Sequence, residues 1–117
     1  MIFAIDFDGT IVEHAYPNIG EVHEETLNFI YDLVREGHEW TLLTMREGDK
    51  LQEALDYLEV FGLKPNYVND NPPCIKEEFS SNPRKVFAHA YLDDRNAFTY
   101  DLQIMFFRNV FNIKGVK

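Results

Sequence analysis

The sequence predicts an α/β domain built on a central, mostly parallel sheet, and three observations carry that expectation. Short apolar runs of strand length alternate along the chain with longer stretches of helical periodicity. The first run, Ile2 to Ile5, is apolar at every position, as in a strand buried on both faces. Polar residues then follow at the ends of successive runs, where a parallel sheet with right-handed crossovers places its ligands.

The first strand ends in Asp6, and Asp8-Gly9-Thr10 supplies turn chemistry behind it. Residues from Ile11 to Gly20 include Pro17, Asn18 and Gly20 and read as a loop. A helix is expected over Glu21–Glu36, with Glu21, Glu24 and Glu25 favourable near its N-terminus. Leu27, Ile30 and Val34 give it an apolar stripe, and Gly37 a stop.

A second strand is expected over Glu39–Thr44. A second helix, Gly48–Phe61, carries Leu51, Ala54, Leu55 and Leu58 at i, i+3, i+4 and i+7. Tyr67 and Val68 make a brief third strand. Asn69–Arg84 reads as a loop with one helical turn near Ile75–Phe79. "FAHAYLDD" is a fourth strand that again closes on two carboxylates, and the apolar tail from Thr99 to Lys117 is expected to hold a helix packed on the sheet.

At 117 residues, positions 1–117 suffice for one domain and one core. Twenty acidic residues against eleven basic ones give a formal charge of −9, which weighs against nucleic acid as a partner, since polyanion affinity rests on Lys and Arg. Cys74 is the single cysteine, so no intrachain disulfide forms, in keeping with a reducing compartment. The apolar N-terminal run breaks at Asp6 with no basic region before it, and no stretch approaches the ~20 apolar residues of a membrane span. The expectation is a soluble, cytoplasmic protein without a membrane partner.

The stretch "DFDGT" poses the sharpest chemical question. Residues i and i+2 of a strand point the same way, so Asp6 and Asp8 should crowd one another. Two charges at ~4 Å repel by roughly 4 kcal/mol at an effective dielectric near 20. A metal ion or a shared proton would offset that. Thr44 ends the second strand and the pair Asp93/Asp94 the fourth, and all should face the same crevice.

This order of residues ("AIDFDGT", "TLLTMR", "PRKVF" and "YLDDRN") resembles the haloacid dehalogenase superfamily from Ile2 to about Asn96. The resemblance implies a three-layer, Rossmann-like fold and a phosphohydrolase that uses Mg²⁺. Asp6 would be the nucleophile, forming an aspartyl-phosphate, and would also bind the metal through its carboxylate. Asp8 would bind the metal through its backbone carbonyl and serve as general acid and then base. Asp94 and Asp93 would complete the metal site, with Asp94 favoured as the direct ligand. Thr44 would hydrogen-bond a phosphoryl oxygen, and Lys85, with Lys76 as its rival, would neutralise charge. Gly9 and Thr10 would lie at the substrate phosphate, and Arg46, close behind Thr44, either touches that phosphate or sits at the surface.

Superfamily members usually carry a cap domain. The two insertion points here hold only about ten and about fifteen residues, so a capless form is expected. An open site of that kind serves a large phosphorylated partner, is covered by another subunit as a homo-oligomer, or takes small phosphorylated substrates loosely. Two other classes compete. A phosphate-accepting receiver domain uses similar residues, but its acidic pair comes first and its phosphorylated Asp mid-chain. A binding or regulatory protein on the same scaffold would differ by lacking turnover.

Overall fold

Asp6 owes its position to the pairing of four parallel strands. The computed structural model describes residues 1–115. Its elements are β1 (Ile2–Asp6), α1 (Glu24–Arg35), β2 (Glu39–Leu43), α2 (Gly48–Val60), β3 (Tyr67–Val68), α3 (Pro73–Glu78), β4 (Ala90–Leu92) and α4 (Tyr100–Val110). The strands run in the order β3-β2-β1-β4, all parallel, and helices flank the sheet. β1 is therefore central, as its unbroken apolar run requires. Its register pairs Asp6 with Leu43 and Ile5 with Leu92, so the chain leaves β2 at Thr44 and β4 at Asp93 level with the end of β1.

Helix α1 begins three residues later than its composition suggests. Val22 forms an antiparallel bridge to Val12, and His23 N–H donates to the Ile11 carbonyl, which holds this stretch extended. Its buried side includes Leu27, Phe29, Ile30 and Leu33, whereas Val34, expected in the stripe, is half exposed. Phe29 and Leu33 lie on the inward arc and displace it. Phe3 of β1 meets Phe29 edge-on at 5.9 Å and Phe111, just past α4, at 5.2 Å, so α1 and α4 share one face of the sheet. Buried Asp32 of α1 binds them together through Arg108 of α4 at 2.8 Å, and also pairs with Arg35 of its own helix at 2.6 Å. The Tyr31 hydroxyl donates to the Phe61 carbonyl at the end of α2, placing α2 beside α1.

Strand β4 is shorter than the eight residues expected. Upstream of it, Phe87 N–H donates to Asn71 Oδ1 instead of a ladder partner. Buried Asn71 also donates to the carbonyl of Pro83 at 2.9 Å, so one side chain shapes the segment after β3. The expected helical turn there is α3, begun by Pro73. No described helix is long and apolar enough to cross a membrane.

Candidate functional site

The turn after β1 is wound around one acceptor. The N–H groups of Thr10, Ile11 and Val12 all donate to the Phe7 carbonyl, and Gly9 N–H donates to Val12. Gly9 sits at φ +92°, where a side chain is strained, and an added Cβ would lie 2.3 Å from Asp94 Oδ2. Only glycine lets Asp94 close over this turn. Thr10 is fully buried: its hydroxyl donates to Asp6 at 3.1 Å and accepts the Asp94 N–H at 2.9 Å. Its carbonyl accepts from His23 and Thr26. The substrate contact expected of Thr10 gives way to a structural one, because the side chain is spent joining the β1 turn to the β4 turn.

Asp6, Asp93 and Asp94 offer carboxylate oxygens that all lie within 4.8 Å of one another. Burial first, then the charge of Asp93 and the hydrogen bond and charge of Asp94, push the Asp6 carboxyl up to about 8; the Thr10 hydroxyl pulls weakly the other way. By itself the cluster therefore keeps a proton near neutral pH, and the crowding expected between Asp6 and Asp8 falls instead between Asp6 and the Asp93–Asp94 pair, since Asp8 lies in the turn beyond β1. Three hard oxygen donors converging without a cationic side chain among them also suit a divalent cation such as Mg²⁺. Gln103 of α4 fastens this loop, accepting the Asp93 N–H and donating to the Asp93 and Phe98 carbonyls.

Asp8 is relieved differently. Arg46 donates from Nε to its Oδ2 and from Nη2 to its Oδ1, both at 2.8 Å. Arg46 is 2% exposed, and its remaining N–H groups go to the carbonyls of Pro17, Asn18 and Lys50. Phe7 and Tyr16 face the guanidinium at 5.2 and 5.1 Å. A guanidinium has five N–H donors, and all five are engaged. The phosphate contact expected of Arg46 is corrected accordingly, for no donor is left to make it.

Thr44 is held by Asn69, which sits at φ +49° after β3. Asn69 accepts the Thr44 N–H at 2.8 Å and donates to its carbonyl at 2.9 Å. The Thr44 hydroxyl oxygen accepts from Arg46 N–H, leaving its own proton free to donate into the crevice.

The crevice, about 480 Å³, is lined by Asp6, Asp8, Thr44, Asp93 and Asp94, with Arg46 and Arg95 as its cationic residues and His14, Tyr16 and Met45 beside them. Neither lysine lines it. Lys76 pairs with Asp70 at 2.8 Å, and Lys85 is exposed on the segment before β4. His14 reaches the crevice from the loop after β1 and Arg95 from the turn after β4, and among the described residues Arg95 makes no ion pair. Tyr16 and Met45 went unnoticed, although Tyr16 lies in the Pro-containing loop and Met45 between two candidate residues.

A parallel α/β domain with a carboxylate-rich crevice at the carboxyl ends of its strands is the class that fold and site define. No family model matches the sequence, and neither does any curated protein. Among solved structures, a conserved protein coded by a locus of Bacteroides thetaiotaomicron is 34% identical, with a TM-score of 0.79 over 97% of this chain and 93% of that one. The chain belongs to the family of that conserved protein.

Proposed function

We propose that this chain is a Mg²⁺-dependent phosphohydrolase of the haloacid dehalogenase type, three-layered, without a cap, acting on a phosphate monoester. The observation that carries the reading is the convergence of Asp6, Asp8, Thr44, Asp93 and Asp94, from three adjacent strand ends, in one crevice. Asp6, Asp93 and Asp94 would hold the cation, which supplies positive charge between the carboxylates and an incoming phosphate.

An Asp6 oxygen then attacks phosphorus and the P–O bond to the alcohol breaks. Asp8 enters this step in its protonated form and gives that proton to the departing oxygen. In the second half Asp8 takes a proton from water as that water attacks phosphorus, and Asp6 leaves as a free carboxylate. A bidentate guanidinium occupies two of the four lone-pair sites of a carboxylate, so Asp8 keeps two for this traffic. Arg46 is accordingly a positioning residue that aims Asp8. Thr44 donates its hydroxyl proton to a phosphoryl oxygen. The charge-neutralising role expected of Lys85 falls to Arg95, the crevice cation free of an ion pair.

Release of phosphate from an aryl phosphate, measured with Mg²⁺ and with chelator beside Asp6→Asn, tests the reading. Metal-dependent release lost in the variant is expected. A folded wild type that releases nothing would instead favour a binding or regulatory protein on this scaffold.

A further inference from the structure

Helix α4 is apolar on two opposite sides. Its inner side, with Ile104 and Phe107 and then Phe111, joins the core. Its outer side presents Leu102, Met105, Phe106 and Val110 at 45%, 61%, 69% and 58% exposure, with Phe98 at 68% just before the helix. The outer positions follow i, i+3, i+4 and i+8, one continuous stripe. A helix that is apolar all round is a buried helix, and this one is covered on only one side.

We infer that the outer face of α4 is the contact surface of a homodimer. Fully burying one aromatic side chain removes ~150–250 Å² from water, so these five residues expose on the order of 500 Å². That lies in the upper part of the ~300–600 Å² range of the largest apolar patch on a monomer, which often serves a function, and is more than half of the ~800 Å² each partner gives to a standard interface. Charge selects the occupant. The chain carries −9, so two copies repel across most of their surface, but α4 holds one acid, Asp101, and one base, Arg108, and is neutral. An anionic membrane surface would be opposed by the same net charge, and the stripe has no basic flank to offset it. A twofold axis crossing the stripe lays α4 antiparallel on its copy, pairing the same patch with itself.

The contact bears on the crevice as well. Gln103 lies next to Leu102 in the chain, is buried, and ties α4 to the Asp93 and Phe98 carbonyls. A partner seated on Phe98 and Phe106 holds that loop from outside, so dimerisation and the order of the Asp93–Asp94 turn rise together.

Sedimentation velocity of the full chain between about 1 and 100 µM tests this, with Phe106→Glu and Met105→Arg beside the wild type. Val60→Glu, on the exposed side of α2, serves as a control. Expected are a wild-type dimer, a dimeric Val60→Glu, and two monomeric α4 variants that keep the far-UV circular dichroism of the wild type. A monomeric wild type at 100 µM overturns the inference, as does a dimer that persists in both folded α4 variants. Should either α4 variant fail to fold, the other decides.

Discussion

The two halves of the crevice solve one electrostatic problem in opposite ways. On the β1–β2 side, Asp8 is matched by a buried guanidinium with every donor engaged. On the β1–β4 side, Asp6, Asp93 and Asp94 face one another with no cationic side chain among them. One half is finished by the chain itself; the other is completed by something brought to it. Residues two apart in the motif thus have different dependences on solution conditions, which makes the contrast testable from either side.

Breaking the open half has the largest effect. Asp6→Asn removes the nucleophile, and phosphate release from an aryl ester should fall by more than ~10³-fold in steady-state assays. The same variant removes one of three crowded carboxylates, so its metal-free stability in urea should equal or exceed that of the wild type. A destabilised Asp6→Asn would show that the cluster is internally compensated after all.

Breaking the closed half acts on the fold. Arg46→Gln leaves Asp8 unmatched and three carbonyls short of a donor, and should lower the free energy of unfolding by about 3 kcal/mol, the scale for one partner lost from a buried pair. Catalysis should show a kcat loss with little change in KM, and no further loss when Arg46→Gln is added to Asp8→Asn. A raised KM alone would mean that Arg46 reaches substrate.

Thr44→Val removes one hydroxyl donor and should cost about tenfold in kcat/KM, the worth of a single hydrogen bond of ~1.4 kcal/mol to a charged oxygen. Its thermal midpoint should fall by only a few degrees, because the Asn69 bonds are to backbone and the Arg46 N–H alone loses its acceptor.

The smallest effect is on pH dependence. Asp6 binds its proton more tightly folded, at about 8, than unfolded, near 3.8. The metal-free protein therefore has this contribution in full below about 4 and loses it as pH rises through 8. Discounted for partial solvent screening to ~1 kcal/mol, the loss corresponds to a fall of about 5 °C in thermal midpoint over that range. Saturating Mg²⁺ should abolish the fall, since it stabilises the ionised cluster.

Much of this was legible in the sequence because periodicity and strand ends are local signals. The unbroken apolar run of β1, the stripe of α2, and the polar residues closing three strands each sit in a few consecutive residues. The missing parts depend on partners distant in the chain. Nothing beside Arg46 says that its five donors meet Asp8, Pro17, Asn18 and Lys50, so the nearby Thr44 made it look like a phosphate ligand. Thr10 looked like a substrate contact until its hydroxyl was found between Asp6 and Asp94. A lysine before β4 looked well placed, yet the crevice gathers no lysine. In the tail a helix was legible but its two apolar sides were not, since apolar residues on both sides of α4 blur the period that marks a surface helix.

Calorimetric titration of Mg²⁺ into the metal-free protein at pH 7, repeated in buffers of different ionisation enthalpy, tests the contrast most directly. If the open half holds a proton that the cation displaces, binding at one site should release close to one proton, and Asp6→Asn should lose that release. Binding without proton release, unaffected by Asp6→Asn, or no binding into the millimolar range, would contradict the account.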